Sequence, residues 1–155
     1  MLYNALAVNY DIPFVPSSEK STETMMEVAN VSAGELAVDL GAGDGQLVIA
    51  LAERGAQAVG VEIDKGRSRQ AETKILRAGL QDKASIINGS FWEQSLAPYD
   101  LIVLYGVPSI MERLQRKVQN EAKHTVRIVS NHFQFPDWQP ALRRNNILLY
   151  RPFIK

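Results

Sequence analysis

The chain has 155 residues, 46% of them hydrophobic, which suits one domain with one sizeable core. Seventeen basic side chains balance seventeen acidic ones, so there is no global positive field to hold nucleic acid, and only a local patch could do so. The absence of cysteine and the presence of only two histidines exclude disulfides, thiolate nucleophiles and Cys- or His-rich metal sites. No apolar run approaches the length of a membrane span, and no basic-then-apolar leader opens the chain, so a cytoplasmic protein without a membrane partner is expected.

In chain order, residues 1–20 form an arm, and residues 21–30 predict a helix with Ser21 and Thr22 as candidate caps and Met25, Met26 and Ala29 on one face. An apolar strand over residues 36–40 leads into a glycine cluster, and a helix over 45–54 stops at Gly55. A second strand covers 56–62, and a polar-faced helix runs over 65–78, just before Gly79. Strands over 84–88 and 101–105 follow, the latter apolar throughout, as a central parallel strand covered on both faces should be. A helix over 109–121, a fifth strand over 126–130 and a last, antiparallel edge strand over 146–150 complete the chain. Strands alternating with helices imply an α/β fold: a mostly parallel, doubly wound sheet with right-handed crossovers, in one domain spanning 1–155. Ligands then bind beyond the C-terminal ends of the strands.

The segment Val38-Asp39-Leu40-Gly41-Ala42-Gly43-Asp44-Gly45 carries most of the functional information. Gly41 and Gly43 let the backbone approach a ligand where a Cβ would clash. The helix that follows aims unpaired N–H groups at the same place. The dinucleotide pattern G-x-G-x-x-G fails, because Gln46 stands at its sixth position. Asp39 would repel a pyrophosphate and suits a cationic or hydroxyl-bearing ligand. Glu62 ends the second strand about 20 positions after the first loop glycine, where ribose-binding acids fall in nucleotide folds. The other strand ends deliver Ser90-Phe91-Trp92, Tyr105-Gly106-Val107-Pro108 and His132-Phe133-Gln134-Phe135 to the same edge. Any single one of these aromatics serves equally well as a plug of the core.

The glycine loop resembles motif I of the class I S-adenosylmethionine-dependent methyltransferases, whose fold is Rossmann-like. Pro13-Phe14-Val15-Pro16-Ser17, Phe91-Trp92, Tyr105-Gly106-Val107-Pro108-Ser109-Ile110-Met111 and Phe133-Gln134-Phe135-Pro136-Asp137-Trp138-Gln139-Pro140 occur around it in order. Together they resemble the small protein-lysine methyltransferases that include the mitochondrial enzymes acting on the ATP synthase c-subunit and the adenine nucleotide translocase, with their compact archaeal relatives. The resemblance implies S-adenosyl-L-methionine as cofactor, protein lysines as substrate, no metal and no nucleic-acid partner. It implies cofactor contacts from Pro16, Ser17, Asp39, Gly41, Ala42, Gly43, Glu62, Ile63, Ser90, Phe91 and Tyr105. Phe14, Trp92, Tyr105 and Phe133 would wall the reacting amine, and Phe14, Gly106, Pro108, His132 and Phe135 would meet the substrate. The arm would cover the active site.

Two positions depart from the family pattern. Ser90 stands where the family has an acid, and a hydroxyl accepts from an adenine amino group more weakly than a carboxylate does. His132 and Gln134 stand where Arg and Pro are usual, which puts substrate choice in question. The chain also lacks the membrane-targeting N-terminal extension of the mitochondrial members, as expected of a soluble prokaryotic form. Two alternatives stay open: a small-molecule methyltransferase, which usually carries a larger lid insertion, and a cofactor-binding module without turnover. Amino-methylating nucleic-acid enzymes carry an Asp/Asn-Pro-Pro-Tyr/Phe loop after the fourth strand, and Tyr105-Gly106-Val107-Pro108 stands there instead.

Overall fold

The computed structural model describes Val15 and residues 17–154. Phe14 and Pro16, expected at the methyl end of the cofactor, lie outside the described residues.

The first helix, α1 (Glu19–Ala29), starts earlier than its apolar stripe indicates. Ser18 is its cap, the hydroxyl accepting from the Ser21 backbone N–H at 3.1 Å, so Ser21 and Thr22 lie inside the helix and are not its caps. There follow β1 (Leu36–Leu40), α2 (Gln46–Glu53), β2 (Gln57–Glu62), α3 (Lys65–Arg77) and β3 (Ala84–Asn88). A short 3-10 turn, Phe91–Glu93, precedes β4 (Leu101–Leu104), α4 (Pro108–Glu121), β5 (Arg127–Asn131), β6 (Leu142–Arg144) and β7 (Ile147–Tyr150).

The seven strands form one sheet in the order β3-β2-β1-β4-β5-β7-β6, parallel from β3 to β5 and antiparallel for the last two. The predicted antiparallel edge strand is β7, but it is not the edge. β6 pairs outside it, with Leu142 opposite Leu149 and Arg144 opposite Ile147. All three β6 residues are exposed, so no apolar alternation marks them in the sequence.

All four β4 residues are buried, and their side chains alternate between two cores. Leu101 and Val103 face the cluster built with α1, α2 and α3, which includes Met25, Val48, Leu51 and Ile75. Ile102 and Leu104 face the cluster built with Leu114 and Val118 of α4 and with Phe135 and Tyr150. This burial on both faces is why the strand reads as a continuous apolar run. β1 lies between β2 and β4, so the strand order reverses there, and the crevice beyond the ends of β1 and β4 is where such sheets take their ligands.

Candidate functional site

The glycine loop leaves β1 into that crevice. Gly41, Gly43 and Gly45 have φ of 83°, 57° and 89°, a region that L side chains rarely adopt. Val61 of β2 pins the start of the loop, its carbonyl accepting from the N–H of both Gly41 and Ala42 at 2.9 Å. Gly45 packs so close to α3 that a Cβ there would lie 2.9 Å from Ala71 Cβ.

Glu62 is the hub of the site. It is buried, yet Oε2 accepts from the Gly43 N–H at 2.7 Å, while Oε1 accepts from the Asp64 N–H at 2.9 Å and from Arg67 Nε at 3.3 Å. Three donors offset the cost of burying the carboxylate. Oε2 holds one of them and keeps acceptor capacity for a ligand hydroxyl. Asp64 accepts from the Arg67 N–H at 2.8 Å and so caps α3. The Asn88 amide donates to the carbonyls of Glu62 and Ile63 at 2.9 and 3.2 Å, which fixes the backbone that carries the Glu62 carboxylate. Ile63, next in sequence, stands 43% exposed.

Asp39 lies buried at the end of β1. Burial, followed by the charges of Glu62 and Asp44, pushes its carboxyl up to about 8. Asp44 is in turn paired with Lys74 of α3. Asp39 therefore holds a proton near neutral pH, and the other two carboxyl groups, on Glu62 and Asp44, face Arg67 and Lys74.

At the end of β3, Ser90 caps the 3-10 turn, its hydroxyl accepting from the Trp92 N–H at 3.3 Å. Phe91 is buried, with its ring 4.6 Å from that of Trp92. The structure divides the expected aromatic wall in two. Tyr105 and Phe133 meet edge to face at 6.1 Å, and His132 meets Phe133 at 4.7 Å, so the ends of β4 and β5 do bring their rings together. Trp92 also contacts α4. Arg113 lies over its ring at 3.9 Å, and Lys117 Nζ donates to its carbonyl at 3.2 Å.

Phe135 departs from expectation as well. It is 2% exposed and packs on Tyr150 at 5.0 Å and Trp138 at 4.8 Å, so its ring lies in the core. Both residues follow the end of β5, and Phe133 is partly buried against the cluster that holds Phe135. Pro108 opens α4, and a Cβ on Gly106 would lie 2.7 Å from Met111 Sδ, so the backbone after Tyr105 runs close over the helix. Ser17 is half-buried just before the α1 cap. Among the described residues there is no cluster of acids and histidines able to hold a metal, and no helix long and apolar enough to cross a membrane.

The family model for the ANTKMT methyltransferase domain matches residues 39–142, from the acid before the glycine loop to the start of β6. The chain belongs to this family. A protein-lysine N-methyltransferase of Saccharolobus islandicus is 35% identical over 131 residues, which cover 83% of this chain and 81% of the relative. The Mus musculus lysine N-methyltransferase of the ATP synthase c-subunit is 34% identical over 129 residues, which cover 83% of this chain and 52% of the relative. Among solved structures, a Salinibacter ruber RNA methyltransferase in complex with S-adenosyl-L-homocysteine superposes with a TM-score of 0.81 at 28% identity, covering 88% of this chain and 91% of that one. Family membership accounts for the glycine loop with an acid on either side and for the sheet order that forms the crevice.

Proposed function

We infer that this protein transfers methyl groups from S-adenosyl-L-methionine to lysine side-chain amines of proteins. The observation that carries this reading is the meeting of the Tyr105 and Phe133 rings at the ends of β4 and β5, beside a glycine loop lined with carboxylates. The relatives named as protein-lysine methyltransferases support the choice of acceptor.

The residues present fit the cofactor. Glu62 Oε2 has capacity for a ribose hydroxyl, exposed Ile63 offers an apolar face to the adenine, and Asp39 sets a carboxyl against the cationic end. Gly41, Ala42 and Gly43 bring the backbone close, with Ser17, Ser90 and Phe91 at the rim. Once bound, the cofactor supplies a methyl already activated on sulfonium, so the protein has to align the amine and present it neutral. A lysine amine has a reference pKa of ~10.4, and an aromatic slot of Tyr105 and Phe133 receives the ammonium on ring faces and then favours loss of its proton by desolvation. The Tyr105 hydroxyl is placed to orient the amine, and His132, Gly106 and Pro108 flank the entry for the target chain. Water takes the proton, and no dedicated base is required.

The deciding experiment offers mixed cell proteins, total RNA and small amines to the enzyme with radiolabelled cofactor, then locates the label by mass spectrometry. Methyl-lysine in protein is expected, and Tyr105→Phe and Phe133→Ala should lose about 10- to 100-fold in rate through misplacement of the amine, Phe133→Ala with cofactor affinity intact. Label in RNA or in a small amine, or full activity in both variants, overturns the reading.

Ser90 provides a separate check on the adenine pocket. Aspartate is as good a helix-type cap as serine, so Ser90→Asp should fold normally. It restores the family's stronger acceptor, and calorimetry should find cofactor affinity unchanged or improved. A large loss would place Ser90 away from the adenine.

A further inference from the structure

The segment between β5 and β6 supplies Phe133 and His132 to the site, and it has almost no regular structure to hold it. Backbone bonds from the His132 N–H to the Asn146 carbonyl at 2.7 Å and from the Phe133 N–H to the Asn131 carbonyl at 3.1 Å hold its start, and side chains from other elements hold the rest. Ser130 of β5 donates to the Phe133 carbonyl at 2.6 Å, and Tyr150 of β7 accepts from the Phe135 N–H at 3.4 Å. The third tie comes from α4. Gln115 is 3% exposed, on a stripe otherwise made of Ile110, Met111, Leu114 and Val118. Its Nε2 donates to Asp137 Oδ2 at 2.7 Å, and its Oε1 accepts from the Asp137 N–H at 3.1 Å. A buried amide on an apolar stripe is costly unless satisfied, and here both ends of the amide are spent on a single residue of the loop.

We propose that the reciprocal Gln115–Asp137 pair is a positioning clamp that holds the loop against α4 so that Phe133 stands against Tyr105, and that it sets how well the protein substrate, rather than the cofactor, is used. The proposal rests on the lysine-methyltransferase reading. The clamp lies on the α4 side of the sheet, four residues beyond Phe133, while the Gly43–Glu62 contact belongs to β1 and β2. Loosening it therefore moves the aromatic slot and leaves the cofactor's acid and loop in place.

The test is a charge swap across the pair. Gln115→Glu alone sets two carboxylates face to face, and Asp137→Asn alone sets two amides together. The double variant Q115E/D137N restores an acceptor on α4 and two donors on the loop. Amide hydrogen exchange over residues 132–137 should accelerate about 10-fold in Q115E and return to the wild-type rate in the double variant. With poly-L-lysine and unfolded casein as probes, kcat/KM for protein should fall about 5- to 10-fold in Q115E and recover in the swap. Affinity for S-adenosylhomocysteine should stay within about twofold throughout. Unchanged exchange in Q115E removes the clamp. Altered exchange with unchanged protein KM and kcat, or a parallel loss of cofactor affinity, makes the pair merely structural. If the wild-type protein methylates neither probe, the lysine reading fails, and the exchange comparison still judges the clamp.

Discussion

Replacing Glu62 by alanine is expected to weaken S-adenosylmethionine binding by ~1.5–3 kcal/mol, the range for hydrogen bonds to a charged acceptor. The effect has two sources in the structure. The variant loses the free acceptor capacity on Oε2, and it also orphans the Gly43 and Asp64 N–H groups and Arg67 Nε, which hold the glycine loop, β2 and α3 in their mutual positions. Glu62→Gln separates the two. The amide oxygen that takes the Gly43 N–H keeps the Oε2-side acceptor, while the NH2 faces the Asp64 N–H and Arg67 Nε, so the melting temperature should drop with a smaller loss of affinity than in Glu62→Ala. Calorimetric titration with cofactor, beside thermal melts of both variants, measures each part. Unchanged affinity in Glu62→Ala would remove this residue from the ribose site.

Asp39 should make stability fall as pH rises from about 4 to 8. Its carboxyl is raised from 3.8 to about 8 by burial and by the charges of Glu62 and Asp44. Throughout that window the unfolded chain has released a proton that the folded chain retains. Stability therefore declines by up to about 1.4 kcal/mol per pH unit and levels off above the folded value. Asp100 acts in a different window. Its hydrogen bonds from Lys123 and the Leu36 N–H hold its carboxyl below the usual range, so its contribution is lost only as the pH drops under about 4. Asp39→Asn should abolish the slope between pH 4 and 8 and be the more stable form at pH 8. Denaturant titrations at pH 5 and 8 measure this, and parallel curves for the two proteins would contradict it.

The same group should report ligand charge. A cationic ligand beside Asp39 favours the carboxylate, so S-adenosylmethionine should release more protons on binding near pH 7 than S-adenosylhomocysteine, which lacks the sulfonium charge, does. Calorimetry in two buffers of different ionisation enthalpy counts them. Equal release for the two ligands would place Asp39 away from the sulfonium.

The alternating fold was legible in the chain because each element carries its own local signal. β4 is a run of four apolar residues, α2 and α3 end at Gly55 and Gly79, and the glycine loop needs positive φ at Gly41, Gly43 and Gly45. The family was legible for the same reason: its motifs are short and contiguous, and apart from the one in the N-terminal arm each follows a strand end.

What the sequence by itself determined, then, is the kind of fold, the family, and the residues that the strand ends deliver to one edge. Those facts follow from periodicity and from backbone demands that only glycine meets, and both are written within a few neighbouring residues. Tertiary structure alone decided which of the delivered aromatics meet. Phe133 joined Tyr105, Trp92 went to Arg113 on α4, and Phe135 went to the core with Tyr150, although all three are aromatics just past strand ends. It also decided that β6, without a buried face, pairs outside β7, and that Gln115 spends its amide on Asp137 across 22 positions of chain. These outcomes depend on which surface each side chain finds once the sheet is assembled. No local pattern encodes a partner that is distant in sequence.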